Sequence, residues 1–175
     1  MSSSSGIIAI LLNSLNYIFV LLLIFNLLKV NYLNPIVAIS IKIYKPISKI
    51  LFLLPNQIIN IFIIAVIFKF LSLMVVPFWS QYEMIVLIGV AAIQTLLVML
   101  RIFLFAVIGG VILSWISPEK SNAFLELVEE ISHKILSPVR KYIPSAGGLD
   151  FSPLFIFILI NLLENLLTDI LRSIL

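Results

Sequence analysis

From residue 7 to residue 28 the chain runs 22 residues without a charged side chain, interrupted only by the polar groups of Asn13, Ser14, Asn16 and Asn26. A helix gains about 1.5 Å per residue, so about 20 apolar residues cross a hydrocarbon core roughly 30 Å thick. This run therefore predicts a spanning helix, and sparsely charged stretches of similar or greater length recur at 57–76, 84–116 and 154–175. With 62% hydrophobic and only 11% charged residues in 175, the composition fits an all-α integral membrane protein and excludes a water-soluble fold. The residues ahead of the first run, 1–6, carry four serines and no positive charge, and no small-residue cleavage pattern follows it. The first run is expected to be a retained helix and not a cleaved signal.

Zero cysteines remove disulfides, thiolate metal sites and thiol catalysis together. The net charge of +3 is spread over helices and short loops and makes no concentrated basic face, so no nucleic-acid partner is expected. Anionic lipid headgroups are the natural counter-charge.

Four spans are expected, at about 7–28, 57–76, 101–116 and 154–175, with interfacial segments at 29–55 and 117–153. In the first segment Lys42, Lys45 and Lys49 share one helical face, with Ile39, Ile43, Ile47 and Ile50 largely elsewhere, and Pro46 is expected to interrupt or kink the helix. Trp79 and Tyr82 bound a short turn, as suits a membrane boundary. The 33 residues of 84–116 would make a helix of about 50 Å, and Arg101 is expected to divide them into a surface-lying or tilted lead-in and a span. Two separate spans there are the alternative, although no turn residue separates them. Ser117-Pro118-Glu119 and Ser152-Pro153 each read as an N-cap followed by a first-turn proline. Between them Phe124, Val128, Ile131 and Ile135 make an apolar stripe opposite Glu126, Glu129, Glu130 and His133.

An internal repeat orders these elements: Asn34-Pro35, Pro46 and Pro55 stand 88 or 89 residues before Asn122-Ala123, Lys134 and Pro144. The chain reads as span, surface helix, span, said twice, over 1–76 and 101–175 with 77–100 as linker or lead-in. With four spans both surface segments fall on one side, and they hold 8 of the 11 Lys and Arg residues. The positive-inside rule makes that side cytoplasmic and both termini external.

Ser114-Trp115-Ile116, then 136–144 (Leu-Ser-Pro-Val-Arg-Lys-Tyr-Ile-Pro) and 147–153 (Gly-Gly-Leu-Asp-Phe-Ser-Pro), resemble the YggT/YlmG family of small bacterial and plastid membrane proteins. The resemblance is specific in the second half and degenerate in the first, which lacks the paired basic residues and the Gly-Gly-x-Asp turn. Lys134 stands where the family often has proline. The resemblance implies a non-enzymatic protein of the bacterial inner membrane, with family members linked to cell division, osmotic tolerance and, in plastids, haem attachment and nucleoid distribution.

Two groups of residues invite a functional reading. Arg140 and Lys141 can meet headgroups or a partner membrane protein, Gly147 and Gly148 can turn the chain, and Asp150, Ser152 and Pro153 can start the last helix. Inside the expected spans lie Lys69, Arg101, Glu164 and Asp169, with Asn161, Glu164, Asn165, Thr168, Asp169 and Arg172 forming a polar stripe. Counting residues from the span ends pairs Lys69 with Glu164 and Arg101 with Asp169, as locks between the two repeats. Gly109-Gly110 with Ala106 offers a small-residue face for close helix contact. No cofactor or metal is expected, because a single histidine and no cysteine complete no ligand set. The sequence thus reads as an accessory or assembly factor engaging lipid or a partner membrane protein, with self-association left open by the stripe. The alternative is a conduit for K⁺, H⁺ or a small solute, which also uses intramembrane carboxylates.

Overall fold

The structure, a computed structural model, describes residues 3–50, 54–116, 122–143 and 150–175. Among these residues six α-helices follow in order, α1 (Ser3–Leu28), α2 (Pro35–Ile50), α3 (Gln57–Met74), α4 (Met84–Ile116), α5 (Ala123–Arg140) and α6 (Ser152–Ile174). A 3-10 turn, Pro77–Gln81, joins α3 to α4. Helices α1, α3, α4 and α6 are each long and apolar enough to cross a membrane.

The expected division at Arg101 is not seen: α4 runs unbroken through it for 33 residues. No proline or consecutive turn residues interrupt the ladder there, and Arg101 avoids burial by pointing outward, its side chain 70% exposed. At about 50 Å, α4 exceeds the hydrocarbon core and must tilt or project beyond it. It is the spine of the protein, packing against α1, α3, α5 and α6.

Helices α1 and α3 pair around Phe19, Val20, Ile24, Phe25, Ile61, Ile64 and Ala65, all essentially buried. Apolar packing alone gains little between helices already surrounded by lipid, so small residues and polar links carry more of the specificity. Fully buried Asn16 supplies such a link, donating from Nδ2 to the Ala65 carbonyl at 2.9 Å and to Thr95 Oγ1 at 3.1 Å. One amide thereby ties α1 to α3 and α4. The turn after α3 stacks Phe78, Trp79 and Tyr82 with ring centroids 5.1–6.2 Å apart.

The two amphipathic helices lie at the same end of the long ones. In α2 the packed face is Val37, Ser40, Ile41, Tyr44 and Ile47, and Ile39 is exposed on the side of the lysines. Pro46 is accommodated inside α2, which continues to Ile50. In α5 the buried stripe is Leu127, Val128, Ile131 and Leu136, while Phe124 is half exposed. Ser117-Pro118-Glu119 lies outside the described residues, and α5 starts instead at Ala123 with Asn122 Oδ1 accepting from the N–H groups of Phe124 and Leu125, both at 3.0 Å.

Close approach of α4 and α5 depends on glycine. A Cβ on Gly109 would stand 2.8 Å from Val128 Cγ1, and one on Gly110 only 2.2 Å from Ser132 Oγ. Neither separation is a tolerable contact, so the small-residue face expected from Gly109-Gly110 meets the surface helix.

Candidate functional site

At the end of α4 the family-like residues converge. Gly110, Ser114 and Trp115 from α4, Ser132 and Arg140 from α5, and Asp150 and Pro153 before and within α6 line a cleft of about 260 Å³. Gly147 and Gly148 lie outside the described residues. Arg140 Nε donates to Asp150 Oδ2 at 2.8 Å, while Asp150 Oδ1 accepts from the Ser152 N–H at 2.9 Å. Asp150 therefore performs the capping that the sequence shares between it and Ser152, and Ser152 is itself the first residue of α6, with Phe151 at the cap position. Burial pushes the Asp150 carboxyl upward, but the Ser152 N–H and the Arg140 guanidinium outweigh it and hold the group below its ordinary value. Lys141 ends α5 exposed, and Trp115 and Tyr142 stand out from this end of the protein at 79% and 86% exposure.

A second set of contacts at this end was not legible as a site. Glu130 accepts the Asn31 N–H with both oxygens, at 3.0 and 3.2 Å, and pairs with Lys134 at 3.1 Å. Lys134 also donates to the Lys29 carbonyl. Asn34 caps α2 through the Ile36 N–H at 2.9 Å and donates from Nδ2 to the Ala123 carbonyl at 2.7 Å. The turn after α1 is thus held by α5. Its geometry has a local cause: Lys29 sits at φ +51°, with Val30 N–H bonded to Phe25 O at 3.0 Å and Lys29 N–H to Asn26 O at 3.3 Å. That pattern is a left-handed helix end normally built on glycine. Glu130 read as the wet face of α5, because periodicity reports the side of a helix and not which backbone groups lie beside it.

The intramembrane charges are partnered differently from the depth count. Lys69 Nζ donates to Asn13 Oδ1 at 2.9 Å, Arg101 Nε lies 3.7 Å from Glu164 Oε1, and Asp169 pairs with Arg172 at 3.3 Å on its own helix. The expected Lys69–Glu164 and Arg101–Asp169 pairs do not form, and neither observed ion pair joins the two halves of the sequence. Counting residues fixes height in a membrane but not direction around a helix. The link between the halves lies instead at Asn16 and at the α5 contacts with the turn after α1.

On the side of α2 a cleft of about 360 Å³ is lined by Leu22, Asn26, Tyr32, Tyr44, Lys45 and Gln57 among others. There Asn56 caps α3, its Oδ1 accepting from the N–H groups of Ile58 at 3.0 Å and Ile59 at 3.3 Å.

Comparison with known proteins places these features. An uncharacterized protein of Pseudomonas aeruginosa is 43% identical over 70 residues, covering 40% of this chain and 36% of that protein. An uncharacterized protein of Haemophilus influenzae is 26% identical over 82% of this chain and 79% of its own length. The uncharacterized protein YggT of Escherichia coli K12 is 29% identical over 35% of this chain and 32% of its own. The aligned segments thus span about a third of the Pseudomonas and Escherichia relatives. No solved structure matches this chain. The CCB3/YggT family model matches residues 89–171, which take in most of α4, all of α5 and most of α6. It is through that second half, where Ser114, Trp115, Arg140 and Asp150 gather around one cleft, that the chain is similar to the CCB3/YggT family.

Proposed function

We propose that this protein is a non-enzymatic accessory or assembly factor of the bacterial inner membrane, which engages lipid headgroups or a partner membrane protein through the end formed by α2, α5 and the start of α6. One observation carries the reading. The residues that bear the family resemblance form a shallow, polar and aromatic surface at the end of the spans, with Trp115 and Tyr142 standing out from it and Arg140 fixed by Asp150. Aromatic and arginine side chains are the types that carry binding energy at protein interfaces and that sit well among headgroups.

In this reading the chain is two repeats. Asn34 and Asn122 stand 88 residues apart and cap the two amphipathic helices. Leu22, Asn26 and Tyr44 of one cleft stand 88 residues before Gly110, Ser114 and Ser132 of the other. Each repeat holds a cleft between a span, its surface helix and the returning span. The shared end faces the cytoplasm and both termini face outward, because the segments at that end contain 8 of the 11 Lys and Arg residues.

Photo-crosslinking in native membranes tests the proposal, with a crosslinking residue at Trp115 or Tyr142 and, for comparison, at lipid-facing Phe157. A discrete membrane-protein or lipid adduct from the first two positions and not the third is expected. Purified protein that moves K⁺ or H⁺ across liposomes, with loss of that flux in Glu164→Gln, would establish the conduit in its place.

A further inference from the structure

Lys69 and Arg101 sit on different spans, yet both line one cleft of about 250 Å³ with Tyr17, Gln94, Leu97 and Leu171. Lys69 lies 12 residues past the start of α3 and 5 before its end, so the cleft belongs to the membrane half away from α2 and α5. It is separate from the Arg140 surface and does not depend on the function proposed there.

Its charges do not balance. Lys69 donates to a neutral amide oxygen, Asn13 Oδ1 at 2.9 Å. Arg101 has one carboxylate in range among the described residues, Glu164 at 3.7 Å, beyond hydrogen-bond distance. Glu164 Oε1 is buried without a hydrogen bond. Glu164 thus faces Arg101 alone, and Lys69 has no carboxylate partner among the described residues where hydrocarbon supplies no counter-ion; such charges ordinarily meet a partner or water. The Arg101 side chain, 70% exposed, remains free to swing toward a ligand.

We infer that this cleft binds the phosphate of an anionic lipid between Lys69 and Arg101. Gln94 and the Tyr17 hydroxyl offer further donors, and Leu97 and Leu171 give an acyl chain an apolar wall. The volume suits a headgroup phosphate, and two cations with a carboxylate in reach of only one of them call for an anion. From Lys69 to the end of α3 is about 8 Å of helix, a distance that a lysine stem and local thinning of the leaflet can bridge.

Native mass spectrometry of the full-length protein, titrated with phosphatidylglycerol and with phosphatidylcholine, reads the inference directly. One phosphatidylglycerol should be retained at concentrations roughly tenfold or more below those needed for phosphatidylcholine, as one or two charge-assisted hydrogen bonds provide. Lys69→Gln, which keeps a donor for Asn13, should remove most of that preference. Gln94→Glu should do the same by adding a resident carboxylate while leaving both cations, which covers the case of an Arg101→Gln variant that fails to fold. Equal retention of the two lipids by the unaltered protein, or a preference that survives both Lys69→Gln and Gln94→Glu, overturns the inference. Displacement of phosphatidylglycerol by millimolar inorganic phosphate would overturn its assignment to lipid.

Discussion

The two places where a surface helix hands the chain back to a span solve one problem with different chemistry. At the start of α3, Asn56 Oδ1 takes the N–H groups of Ile58 and Ile59. At the start of α6, Asp150 Oδ1 takes the N–H of Ser152. Both satisfy donors that a helix leaves open where it enters lipid. An asparagine amide ends its role there. The aspartate has a second, charged oxygen, and that oxygen holds Arg140 of α5 at 2.8 Å. The difference teaches how a cap becomes a clasp: one carboxylate ties the surface helix to the returning span, whereas the Asn56 oxygen bonds only to the start of its own helix.

The same contrast appears deeper in each half and yields the largest expected effect. Residue 22 is a leucine, 4% exposed, whereas residue 110 is a glycine with no room for a Cβ against Ser132. Gly110→Leu should cost about 3 kcal/mol or more, the upper range for overpacking. Unfolding of the purified protein in mixed micelles measures it. Gly110→Ala should cost about 1–3 kcal/mol and be largely restored by Ser132→Gly, because Ser132 supplies the obstructing atoms. Failure of that rescue would mean that the α4–α5 distance is set elsewhere.

A step smaller is the cap itself. Asn56→Ala should lose about 1 kcal/mol, the usual value of a side-chain cap. Asp150→Ala should lose a similar amount, and Asp150→Asn should keep the cap while freeing Arg140. Crosslinking from Tyr142 should therefore weaken in Asp150→Asn and survive in Asn56→Ala. The reverse result would deny the clasp any part in partner or lipid binding.

A related effect of similar size concerns the turn after α1, where Lys29 occupies a left-handed conformation at φ +51°. Lys29→Gly should stabilise the protein by about 1 kcal/mol, since only the backbone carbonyl of Lys29 is used by Lys134. Loss of stability would show that the Lys29 side chain contributes more than its backbone strain costs.

Much of this architecture is written in the apolar runs. Long stretches at 7–28, 57–76 and 154–175 leave little choice but helix, and the helices found there start or stop within a few residues of those limits. The continuity of α4 was less legible, because a charge at residue 101 looks like a boundary until its exposed side chain is seen. The site was half legible. Its members Arg140, Asp150, Ser114 and Trp115 carry the family pattern, but their convergence on one cleft depends on Gly110 admitting α5. Asn16 read as a mere interruption in an apolar run, yet it joins three helices. Its spacing of 3 from Asn13, which meets Lys69, is the available signal that one face of α1 is a polar seam.

The smallest effect separates the two caps by pH. The Asp150 carboxyl, held low by Ser152 and Arg140 despite the opposing effect of burial, ionises more readily in the folded protein than in the unfolded chain. A depressed carboxyl contributes stability that is fully present above its unfolded value, about 3.9, and is lost as pH falls through the lower folded value. Acid below pH 4 should therefore release the clasp at α6 and leave the Asn56 cap untouched, since an amide does not titrate. The pair is substantially exposed, at 42% and 37%, so its contribution should stay under about 1 kcal/mol. Carbon NMR of the Asp150 carboxyl would place its midpoint below that of an ordinary aspartate, and Arg140→Gln should move it up toward the ordinary value. A midpoint unchanged by Arg140→Gln would assign the shift to the helix start alone, and the contrast between cap and clasp would then reduce to two caps.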